Sequence, residues 1–207
     1  MLAEWTAECG TDDPVIVVPW SDPDSGAHFV NLRIEPFDLA EISEAENYPA
    51  LRRALRALNG ARSAFLTSKC DAWVLYPELG GEKLEALRME LDLTDDEVAF
   101  GFASYIDVLW RERSVFASPH IATERLDRLI RRSAKLPHGE VSFEAVLRPA
   151  IIELNGTSEG FGATLYVTAV AADPETAMRR WEAALEAVVH LLRQRDQALP
   201  PGSATID

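Results

Sequence analysis

Basic residues are scarce in this chain: 20 Lys and Arg stand against 34 Asp and Glu, a formal charge of −14 over 207 residues. Such a field repels phosphate backbones and anionic lipid headgroups, so neither nucleic acid nor a membrane surface is an expected partner. The arginines that do cluster are Arg52, Arg53 and Arg56, and Arg125, Arg128, Arg131 and Arg132. Both groups lie on helical patterns with Leu on the other side and read as solvated faces. Cysteine is scarcer still, and Cys9 and Cys70 alone cannot form a disulfide framework. No stretch of about 18 apolar residues runs without a charge, which excludes a conventional membrane helix. The opening MLAEWTAECGTDD lacks both the basic and the apolar region of a secretory leader, so a cytoplasmic protein is expected.

Chemical motifs are missing too. His28, His120, His138 and His190 are too scattered for metal-ligand spacing, and His138-Gly139-Glu140 reads as a turn. Asp22-Pro23-Asp24-Ser25-Gly26 starts like a calcium loop but has no bidentate Glu at the required distance, so turn chemistry explains it better. Gly80-Gly81 and Gly160-Phe161-Gly162 match neither a P-loop nor a dinucleotide fingerprint. No metal and no cofactor is expected.

What the sequence does contain is hydrophobic pattern, 47% of its residues, enough for one sizeable core. A single α+β domain is expected over 15–196, between a flexible start at 1–14 and a flexible tail at 197–207. Val15 to Val18 and the alternation Val30, Leu32, Ile34 around the Asp22–Gly26 turn predict a first β-hairpin. Tyr48-Pro49 opens a helix with Leu51, Leu55 and Leu58 on one side, and Asn59-Gly60 closes it. Residues 63–76 read as a long strand and 87–93 as its return, with Gly80-Gly81 in the turn between them. Thr94-Asp95-Asp96-Glu97 fits a capping box and predicts a helix carrying Val98, Phe102, Tyr105, Ile106 and Leu109, although Phe102, Ser104, Ile106, Val108 and Trp110 also score as a strand. Ser118-Pro119 starts another helix, 141–154 and 161–172 form a hairpin, and Asp173-Pro174-Glu175-Thr176 caps a last helix through Trp181 and Leu192.

On this reading 47–113 and 118–196 share the order helix, strand, strand, helix, the pattern of an internal αββα repeat. Three hairpins favour an antiparallel sheet of about six strands, and helices with one apolar stripe each would cover a single face, giving a two-layer sandwich.

Cys70 sits between Lys69 and Asp71, which raises the question of an activated thiol. In an unbroken strand Cys70 would share its side with Leu66, Ala72 and Val74, and with no histidine nearby it reads as a small apolar residue. The more informative surface is the sheet face away from the helices. Alternation sends out Arg33, Lys69, Asp71, Trp73, Arg88, Glu90, Glu144, Arg148 and Tyr166, charges of both signs mixed with aromatic rings. Two functions suit such a face. One is a non-enzymatic interaction module that forms a homodimer or holds another protein. The other is a small-molecule binder or acid–base enzyme using Asp71, Glu90, Glu144, Lys69 and Arg148, which requires a concave pocket there.

Overall fold

A computed structural model describes residues 1–94, 98–194 and 204–206, apart from the side chains at 79 and 80. In chain order the elements are β1 (Leu2–Ala7), β2 (Ile16–Val18), α1 (Ser43–Asn47), α2 (Pro49–Leu58), β3 (Phe65–Leu75), α3 (Pro77–Glu90), β4 (Phe100–Trp110), α4 (Arg113–Phe116), α5 (Pro119–Ser133), β5 (Val141–Ile152), β6 (Ser158–Ala171) and α6 (Pro174–Leu192). The protein is α+β, with one six-stranded sheet in the order β1-β5-β6-β4-β3 and β2 also paired to β5.

The sheet is mixed, not purely antiparallel. β3, β4, β6 and β5 are antiparallel neighbours, but β1 and β2 both run parallel to β5. They share one edge of it: β1 pairs with Ser142–Leu147 and β2 with Ala150–Ile152. The start of the chain, expected to be loose, is therefore an edge strand from Leu2 to Ala7. Its alternation is short and acidic, so nothing local marks it, and pairing with a distant strand defines it.

The first expected hairpin shrinks to a single bridge between Ser21 and His28. Its turn forms as read, with Ser25 Oγ donating to Asp22 Oδ2 at 2.6 Å and Gly26 at φ +75°. The second arm fails because Asn31 Oδ1 accepts from the Arg33 N–H at 3.3 Å and Asn31 O takes the N–H groups of Ile34 and Glu35, so the backbone curls away from strand pairing.

The second expected hairpin is also corrected. Residues 87–93 do not return as a strand, and Gly80-Gly81 is not a turn; both lie in or at the end of helix α3. Leu84 and Leu87 are its buried residues, at helical spacing, and Pro77 opens it. Asp92, at φ +53°, takes the left-handed position after the helix, with Leu93 N–H bonded to Arg88 O and Asp92 N–H to Met89 O. Conversely, 100–110 is not a helix but strand β4, and the predicted capping box falls on 95–97, outside the described residues. β4 is a central strand buried on both sides over most of its length, and such a continuous apolar run cannot be told from a buried helix by periodicity. The order α2-β3-α3-β4 thus differs from α5-β5-β6-α6, so the shared order behind the expected repeat is lost.

Elsewhere the local signals hold. Ser118 Oγ caps α5 by accepting from Ile121 N–H, and Asp173 Oδ1 caps α6 by accepting from Thr176 N–H at 2.8 Å. α2, α5 and α6 bury their apolar stripes in one core with Phe102, Ile106, Phe143 and Leu165. α3 lies on the opposite side, over Leu75, Ala103 and Val170, so the helices do not all cover one face. On that same opposite side β2 packs over Leu66, Leu109 and Ala150. Of the expected flexible tail, Ala204 O and Ile206 N–H bond to Arg113 and Arg111, and Ile206 packs beside the β2 cluster; 195–203 and 207 lie outside the described residues. Among the described residues no helix is long and apolar enough to cross a membrane.

Candidate functional site

With α3 at one end and β2 at the other, the sheet face between them is left uncovered, and its side chains are polar. The registers place them in rows. One row runs Glu4, Glu144, Tyr166, Tyr105, Asp71 across five strands. The next contains Val146, Thr164 and Asp107, and the one after it Arg148 beside Gly162. Gly162 has no room for a side chain, because a Cβ there would lie 2.8 Å from Val108 O and 3.0 Å from Ile16 Cδ1.

A bulge in β3 sets its place in the second row. The pairing steps from Thr67 opposite Val108 to Cys70 opposite Ile106, leaving Ser68 and Lys69 together against Asp107. Both then face the uncovered side: Ser68 Oγ donates to Val17 O at 3.3 Å, and Lys69 Nζ lies 4.7 Å from the centre of the Trp20 ring. The expected unbroken strand would have kept Cys70 on the side of Leu66. The bulge corrects this by separating them: Leu66 joins the β2 cluster, while Cys70, Ala72 and Val74 face the helices.

The chemistry concentrates around Asp107 and Arg148, each 8% exposed. Arg148 Nε donates to Thr164 Oγ1 at 3.0 Å, and that hydroxyl donates to Asp107 Oδ1 at 2.6 Å. Arg148 Nη1 lies 2.6 Å from Glu8 Oε2, an ion pair that lacks the alignment of a hydrogen bond. Trp20 Nε1 is buried without a hydrogen-bond partner among the described residues. Tyr105 stands between Trp73 and Tyr166, its ring 6.3 and 6.1 Å from theirs.

Two cavities open on this floor. One, of about 390 Å³, lies under α3 and is lined by Glu4, Glu8, Glu144, Lys83 and Glu90. The other, of about 260 Å³, lies beside β2 and is lined by Trp20, Ser68, Lys69, Tyr105, Asp107 and Thr164. Arg148 and Tyr166 line both, so the two form one groove. Burial raises the Glu144 carboxyl, and Glu4 directly across the strand pair raises it further. Burial likewise raises Asp71, against a bond from the Ala72 N–H, and raises the Tyr105 phenol, with Asp107 adding to the effect.

Of the residues expected on this face, Lys69, Asp71, Trp73, Glu144, Arg148 and Tyr166 are there. Glu90 reaches the groove from α3, not from a strand. Arg88 also sits on α3, where it bonds Glu85 and Leu93 O. Arg33 is elsewhere, its Nη1 3.2 Å from Gly60 O at the end of α2. The expected helix after Thr94 hides Asp107 and puts Tyr105 on a core face, although the spacing of two between them is what one strand face requires. Thr164 and Thr168 were legible beside Tyr166 as every second residue of β6. Among the described residues no three His, Cys, Asp or Glu side chains gather to hold a metal. No protein-family model matches the chain, and no curated protein or solved structure matches it.

Two expected results follow from these positions. Burial raises the Asp107 carboxyl above the ordinary range, against the Thr164 bond and the pull of Arg148 and Lys69. A group raised on folding binds its proton more tightly folded than unfolded. Its contribution is therefore most favourable below the ordinary carboxylate value and is lost as pH rises through the folded one. Asp107→Asn should leave the protein more stable than the parent at neutral pH, with the gap closing as pH falls; urea midpoints between pH 4 and 8 measure it, and a gap that widens toward acid contradicts the assignment. Cys70 is half-buried, and burial, then Glu44, Asp71 and Asp107, push its thiol up to about 12. Iodoacetamide at neutral pH should label exposed Cys9 and spare Cys70 until the chain unfolds. Peptide mass mapping reads this out, and rapid labelling of Cys70 in the folded protein would restore the activated-thiol reading.

Proposed function

We propose that this protein binds a polar small molecule in the groove between α3 and β2, with Arg148 and Tyr166 as the floor and Asp107 available for acid–base work. The observation that carries the reading is a buried Arg and a buried Asp joined through Thr164 on the floor of a concave site. Burying two ionised groups is costly, and a solvated sheet face does not require it. A carboxyl whose hold on its proton is strengthened by burial is also suited to giving or taking a proton.

The test is a thermal-shift screen of polar metabolite-sized compounds followed by calorimetry on the hits. Binding should weaken at least about tenfold in Tyr166→Ala, since that ring lines both cavities. Hits indifferent to Tyr166→Ala would place the ligand elsewhere and remove the reading.

A second reading, homodimer formation, is favoured by one feature: among the described strands β3 pairs with β4 alone, so no strand lies beyond its outer edge, although Asn59 and Asp71 side chains take the N–H groups of Thr67 and Ala72. Light scattering at tens of micromolar decides it, and a strict monomer removes the dimer.

A further inference from the structure

Resting on the groove reading above, we propose that the occupant is bipolar: a molecule with an ammonium or guanidinium group at the α3 end and a carboxylate or similar acceptor at the β2 end. The two cavities differ in charge although they share a floor. Under α3, Glu4, Glu8, Glu90 and Glu144 outnumber Lys83 and Arg148. Beside β2, Lys69 and Arg148 outnumber Asp107. Arg148 stands at the boundary and is held there by Glu8 at 2.6 Å, so it offers little to the acidic end.

The acidic end is under-compensated, with Lys83 and the Glu8-bound Arg148 set against four carboxylates in its lining. Glu4 and Glu144 are directly paired on adjacent parallel strands, an arrangement of like charges that is unfavourable until a cation lies between or over them. The basic end is built differently. The bulge throws Lys69 onto the groove side, and the Trp20 ring under its ammonium directs it over the cavity. Between the two ends the Tyr166 and Tyr105 rings supply a half-apolar surface. Glu144 on β5 and Lys69 on β3 are three strand spacings apart, roughly 14 Å across the sheet. With side chains reaching inward, the span suits a short ω-amino acid or a dipeptide better than a single charged group.

The experiment compares three probes of one length, 6-aminohexanoate, 1,6-diaminohexane and adipate, by calorimetry at fixed ionic strength. The amino acid should bind about tenfold more tightly than either symmetric probe. Glu144→Gln should abolish its advantage over adipate, and Lys69→Gln its advantage over the diamine, in variants whose circular dichroism matches the parent. A symmetric probe that binds as tightly as the amino acid overturns the bipolar assignment, as does binding that neither substitution changes. Tight adipate binding that is lost in Tyr166→Ala would overturn this inference and leave the groove as a ligand site. Failure of all three probes also overturns it, whereas the groove itself falls only if the hits of the wider screen ignore Tyr166→Ala.

Discussion

Trp181→Ala is expected to lower the free energy of unfolding by about 3–5 kcal/mol, the range for deleting a large aromatic side chain from a core. Trp181 is fully buried on α6, with its ring 4.5 Å from that of Phe102 and 6.1 Å from that of Tyr48. Its indole Nε1 donates to Ser104 Oγ at 2.8 Å, and Ser104 is itself buried in the middle of β4. The substitution would open a cavity where three elements meet and leave a buried hydroxyl without its donor, two penalties that act together. Trp181→Phe keeps most of the volume and loses the hydrogen bond, so its cost should be about 1–3 kcal/mol. Urea unfolding followed by circular dichroism measures both. Equal costs for the two variants would mean that the hydrogen bond, not the packing, fastens α6 to the sheet.

The second large effect is expected at Arg148. Arg148→Met retains an unbranched stem but removes the charge that faces Asp107 and Glu8. The cost should be about 1.5–3 kcal/mol, the range for losing charged hydrogen bonds, kept low because Glu8 is 43% exposed and can rehydrate. The cost should also depend on pH. Arg148 lowers the Asp107 carboxyl, so without it that carboxyl rises further and the neutral-pH penalty grows. At acid pH Asp107 is protonated and the variant should approach the parent. In an Asp107→Asn background the same substitution should cost less, and the shortfall in the double-mutant cycle measures the coupling through Thr164. Strict additivity would separate the two residues.

The parts of this architecture that were readable in advance are those with local chemical signals. Ser118-Pro119 and Asp173-Pro174 mark helix starts because their side chains accept the first free N–H groups, and 141–172 reads as a hairpin because its two runs surround Asn155-Gly156. The misreadings occur where tertiary context decides. LRMELDL at 87–93 alternates like a strand, yet Leu84 and Leu87 are buried at helical spacing and Asp92 supplies the left-handed stop that a glycine would have announced. FGFASYIDVLW at 100–110 has apolar residues in both phases because helices cover one side of it and α3 and β2 cover the two ends of the other. The site was half visible for the same reason. Glu144, Arg148 and Tyr166 follow from alternation on correctly read strands, whereas Asp107 went unseen with its strand, and no pattern announces the bulge that turns Lys69 toward it.

The parallel pairing of β1 with β5 also has a temporal side. Leu2 meets Ser142, a partner 140 positions later (142 − 2), so during synthesis at roughly 5–20 residues per second the first strand emerges on the order of ten seconds before its partner exists. Until then its N–H and C=O groups have only water or a chaperone to bond. Glu4 suits that interval: a charge in the middle of the waiting strand discourages pairing with another nascent chain, and the same carboxylate later stands at the acidic end of the groove.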